Sequence, residues 1–281
     1  MNRILVIGGT GHVGRQVLTQ LPANGVPIRA LVRSPHASGL PAHVETVCGD
    51  LTRPETLDEC LDGVDAVFLM WIAPTAAVAS ALEKIVRQAR RIVFLSSPYK
   101  TAHPFFQAGQ PNPVAAMHAE IERQIQSSDR QWTFLRPGMF AGNSLSWWAP
   151  RIRAGGDVVR WPYVAAPTAP IDERDIAAVA VRALCEDGHT GAEYVMTGPH
   201  SLSQAEQISM IGDAIGRSLR VEEISPEVAR TEFGLPNMLL GAWAAAIGQP
   251  ALVTSTVEKI TRSPARTFRD WAADHASEFR A

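Results

Sequence analysis

The sequence predicts an α/β fold: a doubly wound parallel sheet with a small, mostly helical C-terminal lobe. Three observations predict it. Short apolar runs alternate with amphipathic stretches through the first half of the chain. A cluster of glycines stands between the first apolar run and the first amphipathic stretch, and past Pro137 the rhythm loosens into Gly-, Pro- and Trp-rich chain before helical spacing returns.

The elements follow in order. Ile4-Leu5-Val6-Ile7 carries no polar residue, as a strand covered on both faces requires, and a strand is expected over 3–8. Val13, Val17, Leu18 and Leu21 then fall on one stripe of a helix. Further strands are expected at 27–32, 44–47, 65–71, 91–96 and 132–136. Thr52-Arg53-Pro54-Glu55 reads as a capping box with Pro in the first turn, opening a short helix that ends near Gly63. Val78, Leu82, Ile85, Val86 and Ala89 recur at helical spacing after the fourth strand. Residues 172–184 return to a helix whose apolar face is Ile176, Val179, Ala180, Ala183 and Leu184, and 192–196 reads as one more strand. Ser203-Gln204-Ala205-Glu206 is a second capping box, its helix closed near Gly216, and Ser225-Pro226 starts another helix. The sheet domain is accordingly expected over 1–140 and 170–200, with a discontinuous small lobe over 141–169 and 201–281. A ligand cleft is expected between lobe and sheet, outside the carboxyl ends of the strands.

Composition narrows the function classes. Among 281 residues, 26 Lys and Arg stand against 28 Asp and Glu, a formal charge of -2, so the chain lacks the basic face that a polyanion partner needs. Nucleic acid is not expected as a partner. No apolar run reaches the roughly 18 residues of a membrane span, and the N-terminus runs straight into a strand, so a cytoplasmic protein with no membrane partner is expected. Cys48, Cys60 and Cys185 are odd in number and far apart, which argues against disulfides and zinc. His36, His43, His103, His189, His200 and His275 are scattered without ligand spacing, so no metal is expected, and no G-x-S-x-G elbow supports an acyl-transfer serine.

The strongest signal is Gly8-Gly9-Thr10-Gly11-His12-Val13-Gly14. Gly9, Gly11 and Gly14 fit G-x-G-x-x-G, while Gly8, Gly11 and Gly14 fit G-x-x-G-x-x-G; the two registers stay open. In either one a diphosphate meets bare backbone and free N–H groups at the positive end of a helix, and the strand before and helix after supply the context for dinucleotide binding. At the end of the second strand, where an NAD site places a carboxylate on the ribose, the chain reads Val32-Arg33-Ser34-Pro35. The guanidinium of Arg33 suits a 2′-phosphate, so NADP(H) is the expected cofactor. Asp50 either accepts from the adenine amine or caps the turn before Thr52.

These residues resemble the NmrA-like, NAD(P)H-binding group of atypical short-chain dehydrogenases. The matching features are the Gly8–Gly14 turn, Val32-Arg33-Ser34, Gly49-Asp50-Leu51, Leu95-Ser96-Ser97, the Trp132–Gly138 run with Asn143 behind it, and Asp172–Ala177. The resemblance implies a Rossmann sheet in which the turn, with Gly8, Thr10, Gly11 and Val13, holds the diphosphate; His12 either touches it or simply begins the helix. It further implies Arg33 at the 2′-phosphate, Asp50 and Leu51 at the adenine, Met70 and Trp71 at the ribose, and the segment around Pro137 toward the nicotinamide, while Ser96 is a candidate to hydrogen-bond the cofactor or the substrate.

One departure matters. The superfamily pairs a Tyr with a Lys four residues on, and neither Tyr99, Tyr163 nor Tyr194 has one. Alignment on Glu122 puts Val114 and His118 in those two places. His118, Tyr99 and Ser96 are therefore the candidate catalytic residues, each with a plain alternative: a cofactor contact or helix surface for His118, a loop position for Tyr99, a strand end satisfying local backbone for Ser96. Met139, Phe140, Asn143, Trp147, Trp148 and Trp161 are candidates for an aromatic-lined substrate wall, lobe packing being the alternative for the tryptophans. The expected activity is NADPH-dependent reduction of a small, aromatic or polycyclic imine, quinone or conjugated acceptor. Two other readings stay open: a non-catalytic sensor of the cofactor, and a non-redox cyclase or isomerase on the same scaffold. A homodimer is left open as well.

Overall fold

The computed structural model describes residues 3–21, 26–34, 39–107 and 112–280. Pro35 and His36 lie outside them. In chain order the elements are β1 (Ile4–Ile7), α1 (His12–Gln20), β2 (Ile28–Val32), β3 (Val44–Cys48), α2 (Leu57–Leu61), β4 (Ala66–Met70), α3 (Val78–Gln88), β5 (Arg91–Leu95), α4 (Pro104–Gln107), α5 (Pro113–Gln126) and β6 (Gln131–Pro137). There follow α6 (Asn143–Trp147), α7 (Ala149–Arg153), β7 (Val158–Trp161), β8 (Pro167–Thr168), α8 (Glu173–Cys185), β9 (Ala192–Met196), β10 (Leu202–Ser203), α9 (Gln204–Ile215) and β11 (Arg220–Glu223). The chain closes with α10 (Pro226–Phe233), α11 (Asn237–Ala246), α12 (Thr256–Thr261), α13 (Phe268–Asp274) and α14 (Ala276–Phe279).

Seven strands form one sheet in the order β3-β2-β1-β4-β5-β6-β9, the first six in the doubly wound arrangement whose strand order reverses between β1 and β4. β1 pairs in parallel with both β2 and β4, and the same sense continues through β2–β3, β4–β5 and β5–β6. Alternation along each strand feeds two faces. Leu5, Ile7, Val67, Leu69, Ile92 and Phe94 join a core with Leu61, Leu82, Ile85 and Ile121 from α2, α3 and α5. On the opposite face α1 and α8 pack on each other, α1 against β1 and α8 against β4, β5 and β6. Burial on both faces is what made β1, β2, β4 and β5 readable as largely apolar runs; the edge strand β3 is exposed at Glu45, Thr46 and Cys48.

The chain divides into two compact units: residues 1–97, 113–137 and 173–194 in the first, and 98–112, 138–172 and 195–281 in the second. The second unit has its own core, in which Trp148, Trp161, Trp243 and Trp271 are fully buried with Ile208, Ile211 and Phe279. It also holds a parallel β7–β11 pair and an antiparallel β8–β10 pair that apolar patterning did not reveal. Among the described residues no helix is long and apolar enough to cross a membrane.

Two caps behave differently from each other. Ser203 accepts from the Glu206 amide while the Glu206 carboxylate accepts from the Ser203 amide, and Gly216 closes α9 at φ 72°, so this box forms as expected. The box expected at Thr52 does not form. Asp50 Oδ1 takes both the amide and the hydroxyl of Thr52 at 2.8 Å, an Asx-type turn that removes Thr52 from capping. Pro54–Thr56 instead makes a single 3₁₀ turn ahead of α2.

Candidate functional site

A parallel sheet brings the residues that follow its strands to one edge. Gly8 follows β1, Arg33 follows β2, Asp50 comes just after β3, Met70 ends β4, Ser96 and Ser97 follow β5, and Pro137 ends β6. All of them belong to the first unit.

At the reversal point, the glycine turn resolves the open register. Gly8 adopts φ 88°, which only glycine holds without strain, and its carbonyl accepts from the Gly11 amide at 3.1 Å. A Cβ on Gly14 would lie 2.1 Å from that same carbonyl oxygen, an overlap of backbone on backbone. A Cβ on Gly9 would press on the flexible end of Leu18 at 2.9 Å and touch Ala30 and Val6 at ordinary contact distance. Gly8 by its φ and Gly14 by its contact with the Gly8 carbonyl therefore need glycine, which favours the G-x-x-G-x-x-G register. Gly11 caps α1 without a side-chain bond and no acidic residue occupies the first turn, so the opening amides of the helix carry uncompensated positive potential. Thr10 and His12 are exposed here and Val13 is buried. The turn fits a dinucleotide diphosphate: a cradle a Cβ would fill, facing the positive end of a helix.

Around this turn the expected contacts separate. Arg33 is exposed, and its charge, after the stronger bonds from Thr52, helps hold the Asp50 carboxyl below its usual range. Asp50 has taken the turn-capping alternative on at least one oxygen. Met70 reaches the glycine turn, its Cβ 2.9 Å from where a Gly8 Cβ would stand. Leu51 and Trp71 correct the expectation: both side chains are buried in the core of the unit, and the Trp71 indole donates to the Ala73 carbonyl at 2.7 Å.

Next come the candidate catalytic residues. Ser96 is buried and its hydroxyl donates to Glu122 Oε1 at 2.6 Å, so it is committed to the protein and not offered outward. Glu122 in turn accepts from Arg136 through both oxygens, at 3.0 and 2.6 Å, and Arg136 also bonds Glu193. Burial alone would lower the Arg136 pKa; the bonds to Glu122 and Glu193 outweigh it and hold the guanidinium charged. His118 lies one turn before Glu122 on α5, and its Nδ1 is 2.8 Å from the hydroxyl of Ser97, the neighbour of the residue expected. Burial pushes the His118 pKa down to about 4, partly opposed by Glu122, so the ring is neutral near pH 7 and does not serve as a ready imidazolium acid. Tyr99 sits in the second unit, half-buried, with the Lys100 ammonium 5.4 Å above its ring.

The second unit contains a small cleft. Its lining is mostly apolar and includes His103, Phe105, Phe106, Met139, Thr197 and Leu252. Phe105 and Phe106 meet edge to face at 5.2 Å. His103 Nδ1 accepts the Phe105 amide, which leaves the proton on Nε2 to donate to the Pro250 carbonyl at 3.1 Å. Asn143 donates to the Met139 sulfur, which steadies one wall, and Phe140 bridges to Ile171 beside it. Met139 is the substrate candidate that the cleft includes. Trp148 and Trp161 are not on a wall: Trp161 is fully buried with its indole donating to Gln204 at 2.6 Å, and Trp148 packs edge to face on it. Trp147 is half-buried against the same cluster. His103, Phe105, Phe106, Thr197 and Leu252 escaped the sequence reading because no spacing joins segments so far apart.

A family described as NAD(P)H-binding matches residues 8–187. The chain belongs to that family. It is 39% identical over 289 residues to a (4-alkanoyl-5-oxo-2,5-dihydrofuran-3-yl)methyl phosphate reductase of Streptomyces griseus, covering 98% of this chain and 99% of that protein. To an NAD(P)H azoreductase of Xenophilus azovorans it is 38% identical, covering 99% of each. Among solved structures, an NADPH-dependent quinone oxidoreductase of Escherichia coli complexed with NADPH superposes with a TM-score of 0.77 at 22% identity, covering 96% of this chain and 99% of that one. A Citrobacter triphenylmethane reductase complexed with NADP(H) gives 0.77 at 18%, covering 97% and 99%. At such identities these two establish the fold. The enzyme class is that of NAD(P)H-dependent oxidoreductases.

Proposed function

We propose that the protein is an NADPH-dependent reductase of a small, flat acceptor with an electron-poor double bond, such as a quinone, an azo compound or a conjugated carbonyl. The observation that carries this reading is the Gly8–Gly14 cradle at the strand-order reversal, with the Arg33 guanidinium at the neighbouring strand end. Arg33 stands where an NAD site would place a carboxylate, which favours a 2′-phosphate.

When bound, the reduced nicotinamide supplies a hydride. The chain's own residues do the rest. The opening amides of α1 hold the diphosphate, Gly14 lets the backbone close on it, and Met70 packs against the turn. The apolar cleft with Phe105, Phe106 and Met139 suits a poorly hydrated ring system. Two full-length relatives support the acceptor class. One name describes a dihydrofuran carrying alkanoyl and oxo groups and the other an azo compound, both electron-poor multiple bonds. The absence of a Tyr with a Lys four residues on fits acceptors that rely on hydride positioning more than on strong acid catalysis.

The test is a turnover assay with NADPH and NADH against a benzoquinone, an azo dye and a conjugated enone. Consumption of NADPH in preference to NADH, coupled to loss of at least one acceptor, is the expected result. Stoichiometric NADPH binding with no turnover of any acceptor overturns the reductase reading and leaves a cofactor sensor.

A further inference from the structure

We propose that Ser97 and His118 form a proton relay in which the Ser97 hydroxyl is the group that protonates the reduced acceptor. This rests on the reductase reading above.

Three observations lead there. One face of α5 takes both serines that follow β5: Glu122 holds Ser96, and His118, one turn earlier, holds Ser97 with Nδ1 at 2.8 Å from Oγ. Ser96 is closed off inside the Glu122–Arg136 pair, whereas Ser97 is half-buried at the carboxyl edge of the sheet. The imidazole is fixed in place, its ring edge-on to Phe94 with centroids 5.5 Å apart. A hydroxyl held by an oriented ring, at the edge where strand ends gather the cofactor-binding turn, is a positioned donor.

Chemistry selects a relay over a simple acid. A neutral ring with Nδ1–H toward Ser97 Oγ leaves the hydroxyl proton pointing outward. Hydride addition to the β-carbon of an enone moves the π electrons onto the carbonyl oxygen as an enolate. That oxygen takes the Ser97 proton, Oγ takes the proton of His118 Nδ1, and Nε2 takes one from water. The imidazole begins and ends neutral, having exchanged tautomers, and the net proton comes from solvent. The nicotinamide is oxidised by two electrons and the acceptor is reduced by two. An acceptor that is already a cation, such as a triarylmethyl dye or an iminium ion, is neutralised by the hydride and needs no such proton.

That contrast is the experiment. Turnover of a neutral enone and of a cationic triarylmethyl dye is measured for the parent enzyme, Ser97→Ala, Ser97→Thr and His118→Phe, with NADPH affinity read by calorimetry. Ser97→Ala should lower kcat for the enone by about 100-fold or more, the range of positioned proton transfer, with KM and NADPH affinity little changed. Dye turnover should stay within about twofold of the parent. His118→Phe should show the same selectivity, and Ser97→Thr should restore most of the enone rate. In the parent enzyme the enone reaction should slow in D₂O and the dye reaction should not. If Ser97→Ala depresses both acceptors equally, or neither, the relay is wrong while the reductase reading stands. If the enzyme turns over the enone alone, an enone rate insensitive to D₂O overturns the relay. If the parent enzyme reduces neither acceptor, the relay falls, and the quinone and azo assays above decide the reductase reading.

Discussion

Single residues carry the sharpest consequences. A Cβ on Gly14 would overlap the Gly8 carbonyl at 2.1 Å, so Gly14→Ala must open the turn. Its expected effect is a loss of NADPH affinity of at least tenfold by calorimetry, with destabilisation of about 1–3 kcal/mol from the strained backbone. Arg33→Ala should weaken NADPH binding by about 10–100-fold, the value of a charged hydrogen bond, and leave NADH binding within about twofold. His118 makes a pH prediction whose sign is fixed by burial. Its pKa is lowered from 6.5 to about 4, so the folded protein resists a proton that the unfolded chain accepts. Above pH 6.5 both states are neutral and the group contributes nothing to the pH slope. As pH falls from about 6.5 toward about 4, this group removes stability, by up to about 3 kcal/mol. Urea unfolding of His118→Phe should therefore lose less stability than the parent across that window; parallel curves would contradict the account. The same scale shows where reading the sequence stopped. Of two adjacent serines it favoured Ser96, because nothing in a dipeptide says which hydroxyl a helix 20 residues away will claim.

Elements were legible where geometry imposes a period. Strands covered on both faces are largely apolar runs, and helices lying on a sheet must carry one stripe, so β1, β2, β4 and β5 and α1, α3 and α8 could be read from composition, while β3, exposed at Glu45, Thr46 and Cys48, was read from its place in the alternation. Caps were legible only when no stronger local bond competed. Ser203 is free to cap α9, and Ser203→Ala should cost about 1 kcal/mol by the shift in urea midpoint. Thr52 is taken by Asp50, and Thr52→Ala should leave α2 uncapped to the same degree as before. Between elements, the buried Glu122–Arg136 pair joins α5 to β6. Glu122→Ala takes one carboxylate from a guanidinium that is 4% exposed and leaves it on Glu193, and should destabilise the protein by about 1–3 kcal/mol. The β7–β11 pair was not legible, because its two strands are short, half exposed and far apart in sequence.

Across the whole molecule, the chemistry is divided between two kinds of feature with different visibility. The glycine turn is local, seven residues from Gly8 to Gly14, with Gly8 set by its φ of 88° and Gly14 by its contact with the Gly8 carbonyl. The cleft of the second unit draws on segments near residues 103, 138, 168, 197 and 251, and no local pattern encodes such an assembly. Aromatic residues misled for the same reason: a tryptophan looks alike in sequence whether it lines a cleft or, as Trp148 and Trp161 do, fills a core. The most direct test of the central claim is calorimetric titration of the purified protein with NADPH and with NADH. One NADPH is expected to bind per chain, at least tenfold more tightly than NADH, with the preference erased in Arg33→Ala. Absence of heat with both nucleotides, or equal affinities in the parent protein, would contradict it.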